Sequence, residues 1–247
     1  MIKILHDGAI WRARLEEPEA GKPARKVVTG RRHRVTGTIP SRKSPGDREV
    51  VWESPNELSL IILEEFEPRT MSVVAQPHTL HAWTDTEEFR HTPDFLLGRS
   101  PENGPPEVVE VKPRAAIGKA DIARMLRVSE ACHRALGFDF SVRVETDLQS
   151  QPRLRNCQLL LRYQKTATRY ALSHIVTTLF LASAEPLTIR RCVLGIDGDP
   201  RTRFELYALV CAGLMQLDLA APLGPETVIL NSRIPSRAAP LRRGLLR

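Results

Sequence analysis

The sequence predicts an α/β fold: an αβ core with a mixed sheet, followed by a small helical domain. Three observations predict it. Between Val27 and about Asp147, short β-branched runs alternate with stretches of helical period. Past Leu154 the apolar residues recur at helical spacing, and only Thr227 to Leu230 reads as β-prone. Between these regions, Gln149 to Arg153 is polar and contains Pro152, which marks a boundary. The resulting organisation is an N-terminal arm at 1–26, a core at 27–150, a C-terminal domain at 151–231 and a basic tail at 232–247. A chain of 247 residues is long enough for one large domain or two small ones, each with its own core.

The arm offers one strand near Met1 to Leu5. A helix then starts at Glu53 to Leu58, where Ser54 suits the N-cap, Pro55 the first helical position, and Leu58, Ile61, Ile62 and Phe66 form a stripe. A strand is expected around Met71 to Gln76. Glu107 to Val111 is β-branched and bounded by Pro106 and Pro113, so it reads as a short buried strand. Asp94 opens the strand before it, and the turn-rich loop from Gly98 to Pro106 would pair the two as a hairpin. The helix from Ile117 to Leu136 puts Lys119, Arg124 and Arg127 outside, with Ile122, Met125, Leu126 and Ala131 on the sheet. A strand from Phe140 to Asp147 closes the core.

The C-terminal domain reads as one long helix or two joined ones over Leu154 to Ala184, a helix at Pro186 to Leu194, and a third. The third begins at Asp199-Pro200 and ends near Asp218. With the terminal β element this predicts a winged-helix domain. Phe204, Leu206, Tyr207, Leu209, Val210 and Leu214 make the third helix too apolar to read bases. Its apolar face therefore has to be covered by the core or by a docked protein.

Alternation on the Glu107 to Lys112 strand places Glu110 and Lys112 on one face, with Val109 and Val111 behind. The hairpin would bring Asp94 beside Glu110. Two converging carboxylates suit a hard divalent cation such as Mg²⁺, and Lys112 would orient or deprotonate an attacking water, or stabilise charge on a phosphate. The competing reading is a solvated strand face. Glu57 has two readings as well. In the first turn of its helix it could reach a metal held by the sheet; Ser54-x-x-Glu57 is equally a capping box. The order helix with early Glu, strand, Pro-Asp strand, Glu-x-Lys strand, helix is that of a restriction-endonuclease-like core.

A narrower likeness follows from Gly30-Arg-Arg-His-Arg-Val-Thr-Gly37, Ser54-Pro-Asn-Glu57-Leu58, Ala75-Gln76-Pro77, Thr92-Pro-Asp94-Phe-Leu96 and Glu110-Val-Lys112-Pro113. In that order, over roughly residues 27–170, these segments resemble TnsA, the endonuclease subunit of heteromeric cut-and-paste transposons. The resemblance implies a metal-dependent DNA endonuclease that cuts the 5′ ends of a transposon. It would work on transposon-end double-stranded DNA with an integrase-like transposase subunit and a regulatory AAA+ ATPase. Glu57, Asp94, Glu110 and Lys112 fall on the catalytic positions. The expected metal ligands are Glu57, Asp94, Glu110 and Val111, for Mg²⁺ with Mn²⁺ as a substitute. Expected DNA contacts are Arg31, Arg32, Arg34, Gln76, Lys119 and Arg124. Some members of that family carry Gln where this chain has Glu110; the extra charge bears on how many metals are held. Two alternatives remain: an idle nuclease-fold scaffold bridging DNA and proteins, and a stand-alone repair or restriction nuclease. The retention of all four catalytic residues speaks against the first. For the second, no target-recognition surface is legible.

Charge is distributed unevenly. The chain carries a formal +7, yet residues 22–48 hold nine Lys/Arg against Asp47 alone, and the tail from Ser232 holds five Arg and no acid. The rest of the chain is net acidic, so two basic segments flank an acidic body, as a polyanion-binding protein requires. The plainer reading of each is a solvated loop or a disordered terminus. Cys132, Cys157, Cys192 and Cys211 lack C-x-x-C spacing and read as small core residues. His78-x-x-His81 has no second ligand pair at zinc-like spacing. No signal peptide and no stretch long enough to span a bilayer is read in the sequence, so a cytoplasmic protein with no membrane partner is expected. The resemblance to TnsA implies a bacterial one, nucleoid-associated during transposition.

Overall fold

A computed structural model describes residues 1–18, 35–46 and 49–232. The chain is mixed α/β and divides into two compact units, Met1–Ser150 and Gln151–Arg247.

Unit 1 begins with β1 (Ile2–His6) and β2 (Ala9–Glu16), joined at Asp7-Gly8, where both residues adopt positive φ. These strands are not a loose arm. With β6 (Thr79–Trp83) and β7 (Glu88–His91) they form an antiparallel sheet of order β1-β2-β6-β7, in which β2 pairs with β6. Alternation explains it: Trp11, Ala13, Leu80 and Ala82 are buried together on one face, whereas Arg12 and Arg14 point the other way. β3 (Gly37–Pro40) and β4 (Glu49–Trp52) form a separate two-stranded ribbon.

α1 (Pro55–Glu65) follows, with Ser54 as N-cap and Pro55 in the first turn. Its Leu60 and Ile61 pack on a second sheet of order β10-β9-β8-β5, built from β5 (Thr70–Ala75), β8 (Phe95–Arg99), β9 (Glu107–Val111) and β10 (Asp139–Arg143). β8 runs antiparallel to both β5 and β9, and β10 runs parallel to β9. A parallel neighbour requires a crossover. It is supplied by α2 (Arg114–Ile117) and α3 (Ala120–Ala135), and α4 (Glu145–Leu148) follows β10.

The two faces of β9 go to different partners. Val109 and Val111 pack toward α1, while Val108 packs with Leu126 of α3 and Phe140. α3 is also apolar on a second side, where Val128 and Cys132 meet Trp11, Leu80 and Ala82 of the first sheet. It therefore lies between two sheets. The sequence predicts one apolar face for it, because only one sheet is legible as its neighbour.

Unit 2 consists of α5 (Arg153–Leu161), α6 (Leu172–Ala182), α7 (Ile189–Ile196), α8 (Thr202–Cys211) and an antiparallel ribbon of β11 (Met215–Leu217) and β12 (Ile229–Ser232). The region Leu154 to Ala184 is thus two helices, and the expected third helix is α8. It does not start at Asp199-Pro200. Asp199 instead caps a turn, its Oδ1 accepting from the Arg201 N–H at 2.9 Å, and the helix begins at Thr202. Nor does it reach Asp218. Gly213 takes φ +72°, Leu214 N–H donates back to Leu209 O at 2.9 Å, and the chain leaves as β11. Residues Leu206 to Cys211 are buried within unit 2, against α5, α7 and β11. The apolar face expected to need the core or a partner is covered by the unit's own elements. No helix among the described residues is long and apolar enough to cross a membrane.

Candidate active site

The register of the second sheet sets the site. Phe95 pairs with Val109 and Leu96 with Val108, so continuing the ladder by one residue puts Asp94 opposite Glu110. On the other side, Ala75 pairs with Phe95, and Gln76 N–H donates to Asp94 O at 2.8 Å. Asp94 is thereby held by its main chain at the end of two strands. Its Oδ2 accepts the Val111 N–H at 2.8 Å.

Lys112 completes the arrangement. Its ammonium pairs with Glu110 Oε1, lies 3.6 Å from Asp94 Oδ2, and reaches Val111 O at 3.4 Å. Three oxygens therefore converge on one cationic nitrogen. Glu110 is 1% exposed, and its second oxygen, Oε2, is hydrogen-bonded to His91 Nε2 at 3.0 Å.

These groups perturb one another. Burial and the facing Glu110 carboxylate push Asp94 up to about 7, against the opposing pull of Lys112. Burial also works to raise Glu110, but the His91 hydrogen bond and the nearby positive charge outweigh it and hold Glu110 below its ordinary value. Lys112 is destabilised as a cation by burial, yet the two carboxylates more than compensate and raise it. An ammonium in this position stays protonated.

Glu57 sits at the N-terminus of α1. Its N–H donates to Ser54 Oγ at 3.2 Å, its Oε2 accepts from Glu53 N–H at 2.8 Å, and its Oε1 accepts from Ser54 Oγ at 3.0 Å. The Ser54 N-cap is formed, but the reciprocal half of the box is displaced: the Glu57 carboxylate takes the N–H of Glu53, one residue before the cap, in place of that of Ser54. The same carboxylate also lines the cavity that holds Asp94, Glu110, Val111 and Lys112, a space of about 770 Å³. Burial raises its pKa. The cap and a metal ligand are alternative uses of one side chain, and the cap is the use seen.

The remaining expected residues are dispersed. Gln76 is buried, adopts φ +47°, and donates to Glu53 Oε1 at 3.4 Å. Lys119 is exposed at the N-cap of α3, and Arg124, also exposed, pairs with Glu87. None of the three lines the cavity. Arg31, Arg32 and Arg34, and the arginine tail after Ser232, lie outside the described residues. Val35, next in sequence to Arg34, does line it.

Sequence reasoning misses His91, Arg90, Asn56 and Glu53, which also line the cavity. His91 could be suspected from its place three residues before Asp94; the other three carry no local signal. His78 and His81 do not act together. His78 Nε2 meets His133 Nε2 at 2.9 Å, while His81 Nε2 meets Glu88 at 2.9 Å.

Among the described residues, no three His, Cys, Asp or Glu side chains stand together as a ready-made metal cluster. Asp94 and Glu110 are a pair, and the third converging oxygen is a main-chain carbonyl. This all-oxygen set, already gathered around one positive charge, fits a hard divalent cation better than zinc. The chain matches no protein-family model and no curated protein sequence.

Proposed function

We propose that this chain is a metal-dependent DNA endonuclease with a restriction-endonuclease-like core in unit 1. In this reading it cleaves the 5′ ends of a transposon as one subunit of a heteromeric transposase, with an integrase-like transposase and a regulatory AAA+ ATPase. The observation that carries the nuclease reading is the convergence of Asp94 Oδ2, Glu110 Oε1 and Val111 O on the Lys112 ammonium. The transposon assignment rests on the five motifs and their order.

Asp94, Glu110 and Val111, with Glu57 after release from its cap, would hold Mg²⁺ or Mn²⁺. That ion supplies neutralisation of the phosphate charge and activation of water. The chain's own contribution follows from its electrostatics. Lys112, kept protonated by its neighbours, suits donating a hydrogen bond to a phosphoryl oxygen rather than taking a proton from water. The burial of Glu110 limits bulk water around it and strengthens every polar interaction there. The basic run ending at Arg34 adjoins, in sequence, a residue of the cavity wall, which supports a role in holding the DNA backbone.

We read unit 2 as winged-helix-like and as a protein-docking element. Supporting this are helices followed by an antiparallel ribbon and the burial of α8, which withdraws it from base reading. A cavity of about 570 Å³, lined by Tyr163, Val193, Leu194, Phe204 and Tyr207, adds a surface of the right character.

One observation favours the idle-scaffold alternative: both Glu57 oxygens are engaged in the cap. Cleavage decides between the readings. Purified chain, the products of the neighbouring genes, Mg²⁺ and labelled transposon-end DNA should give a 5′-end cut that disappears in Asp94→Ala and on chelation. Equal cutting by Asp94→Ala, or cutting that survives chelation, refutes the metal-nuclease reading.

A further inference from the structure

Glu110 divides its two oxygens between two neighbours. Oε1 faces the Lys112 ammonium, and Oε2 is held by His91 at 3.0 Å. The two side chains belong to different sheets. Glu110 is on β9, and His91 is the last residue of β7, whose ladder opposes it to Leu80 of β6. The hydrogen bond therefore ties the site to a structure outside its own sheet.

His91 is itself confined. It is mostly buried, packs near Phe89 with ring centroids 6.1 Å apart, and is followed by Thr92, whose hydroxyl meets that of Thr79 at 2.9 Å. Only Thr92 and Pro93 separate it from Asp94. One short, braced segment thus sets both the position of Asp94 and the rotation of the Glu110 carboxylate.

A glutamate has enough side-chain torsions to turn its carboxylate away from a shared point. With its proton on Nε2, His91 donates to Oε2, fixes the carboxylate plane and leaves Oε1 directed at the point where Asp94 Oδ2 and Val111 O also converge. We propose that His91 is the positioning residue of the metal site, acting on the ion through Glu110. This rests on the metal-site reading above. Partners of this kind behind a ligating carboxylate characteristically govern metal affinity by 10- to 100-fold, about that range being expected here.

The test is Mn²⁺ binding to the full chain without DNA, followed by electron paramagnetic resonance, alongside thermal melting in the absence of metal. His91→Phe, which keeps a ring and removes the donor, should weaken Mn²⁺ binding by at least about tenfold. His91→Gln, whose amide N–H can reach Oε2, should restore most of it. The Mg²⁺ concentration for half-maximal cleavage should move by the same factor. Should His91→Phe fail to give a cooperative melt, His91→Asn, with a donor too short to reach, replaces it. Wild-type Mn²⁺ affinity in a folded His91→Phe or His91→Asn variant, with binding lost in Asp94→Ala, overturns this proposal alone. Absence of Mn²⁺ binding by the wild-type chain overturns the metal-site reading and this proposal together.

Discussion

Two pairs of ionisable side chains in unit 1, Asp94 with Glu110 and His78 with His133, meet burial in opposite ways. Asp94 and Glu110 are brought together with a cation, Lys112, in reach of both. His78 and His133 are brought together with none. His133 Nδ1 lies 2.8 Å from Ser129 O and so carries a proton, which leaves its Nε2 to accept from His78. Burial, and to a lesser degree the neighbouring histidines, push His78 down to about 3; burial likewise pushes His133 down to about 4. Both rings are neutral at pH 7. Removing a charge from water costs several kcal/mol unless a partner compensates. The histidines avoid that cost by shedding charge and become structure. Glu110 keeps its charge because the His91 hydrogen bond and the Lys112 ammonium offset burial, whereas Asp94 is pushed up to about 7; the charge the pair retains makes its cavity chemically useful.

Removing the offset should have the largest effect. Lys112→Met leaves two facing carboxylates buried without their cation. Because the ammonium is about one-fifth exposed, we expect destabilisation by roughly 1–3 kcal/mol, below the full value for breaking a buried pair. Cleavage should also be abolished. If the converging oxygens are a cation site, millimolar Mg²⁺ should raise the melting temperature of Lys112→Met more than that of wild type. An equal or smaller rise breaks the comparison, since the carboxylates would then be a plain ion pair.

The histidine pair gives a smaller, pH-dependent effect. A base whose folded pKa lies below its unfolded value near 6.5 binds more protons when unfolded. Its contribution is therefore complete above about pH 6.5 and is lost as pH falls toward about 4, where His133 titrates in the folded state. The stability margin of wild type over His133→Leu, taken from denaturant melts, should shrink across that window. A margin independent of pH would show that the pair is not buried neutral.

The smallest effect concerns the basic run. Neutralising Arg31, Arg32 and Arg34 together should weaken DNA binding alike for all sequences. The log–log salt slope should fall by about 0.9 for each phosphate that these arginines no longer neutralise. An unchanged slope makes this run a solvated loop and removes it from the DNA interface.

Much of the site was legible because it is local. A strand alternates its faces whatever surrounds it, so Glu110 and Lys112 could be placed together from Glu107-Val-Val-Glu-Val-Lys alone. Ser54-Pro55 likewise announced the start of α1, since capping depends on the first turn only. Apolar period identified α3, and the turn-rich loop after Arg99 announced the pairing of β8 with β9. The start of α8 is ambiguous in sequence because Asp199 offers a cap in either of two turns, and its end because apolar residues continue past Gly213 into a strand.

Tertiary structure alone decided the interactions whose partners lie far apart in the chain. His91 is 19 residues from Glu110, and His133 is 55 from His78; no periodicity links such positions. The strands of the N-terminal segment became part of a sheet because β6, itself paired with β7, stood ready to pair with β2, and that sheet gave α3 its second apolar neighbour. For Glu57 the sequence determined two competent uses, a cap and a ligand. Only the folded chain selects between them, because the cap needs one turn of helix, whereas the ligand needs Asp94 and Glu110 delivered to it by a hairpin.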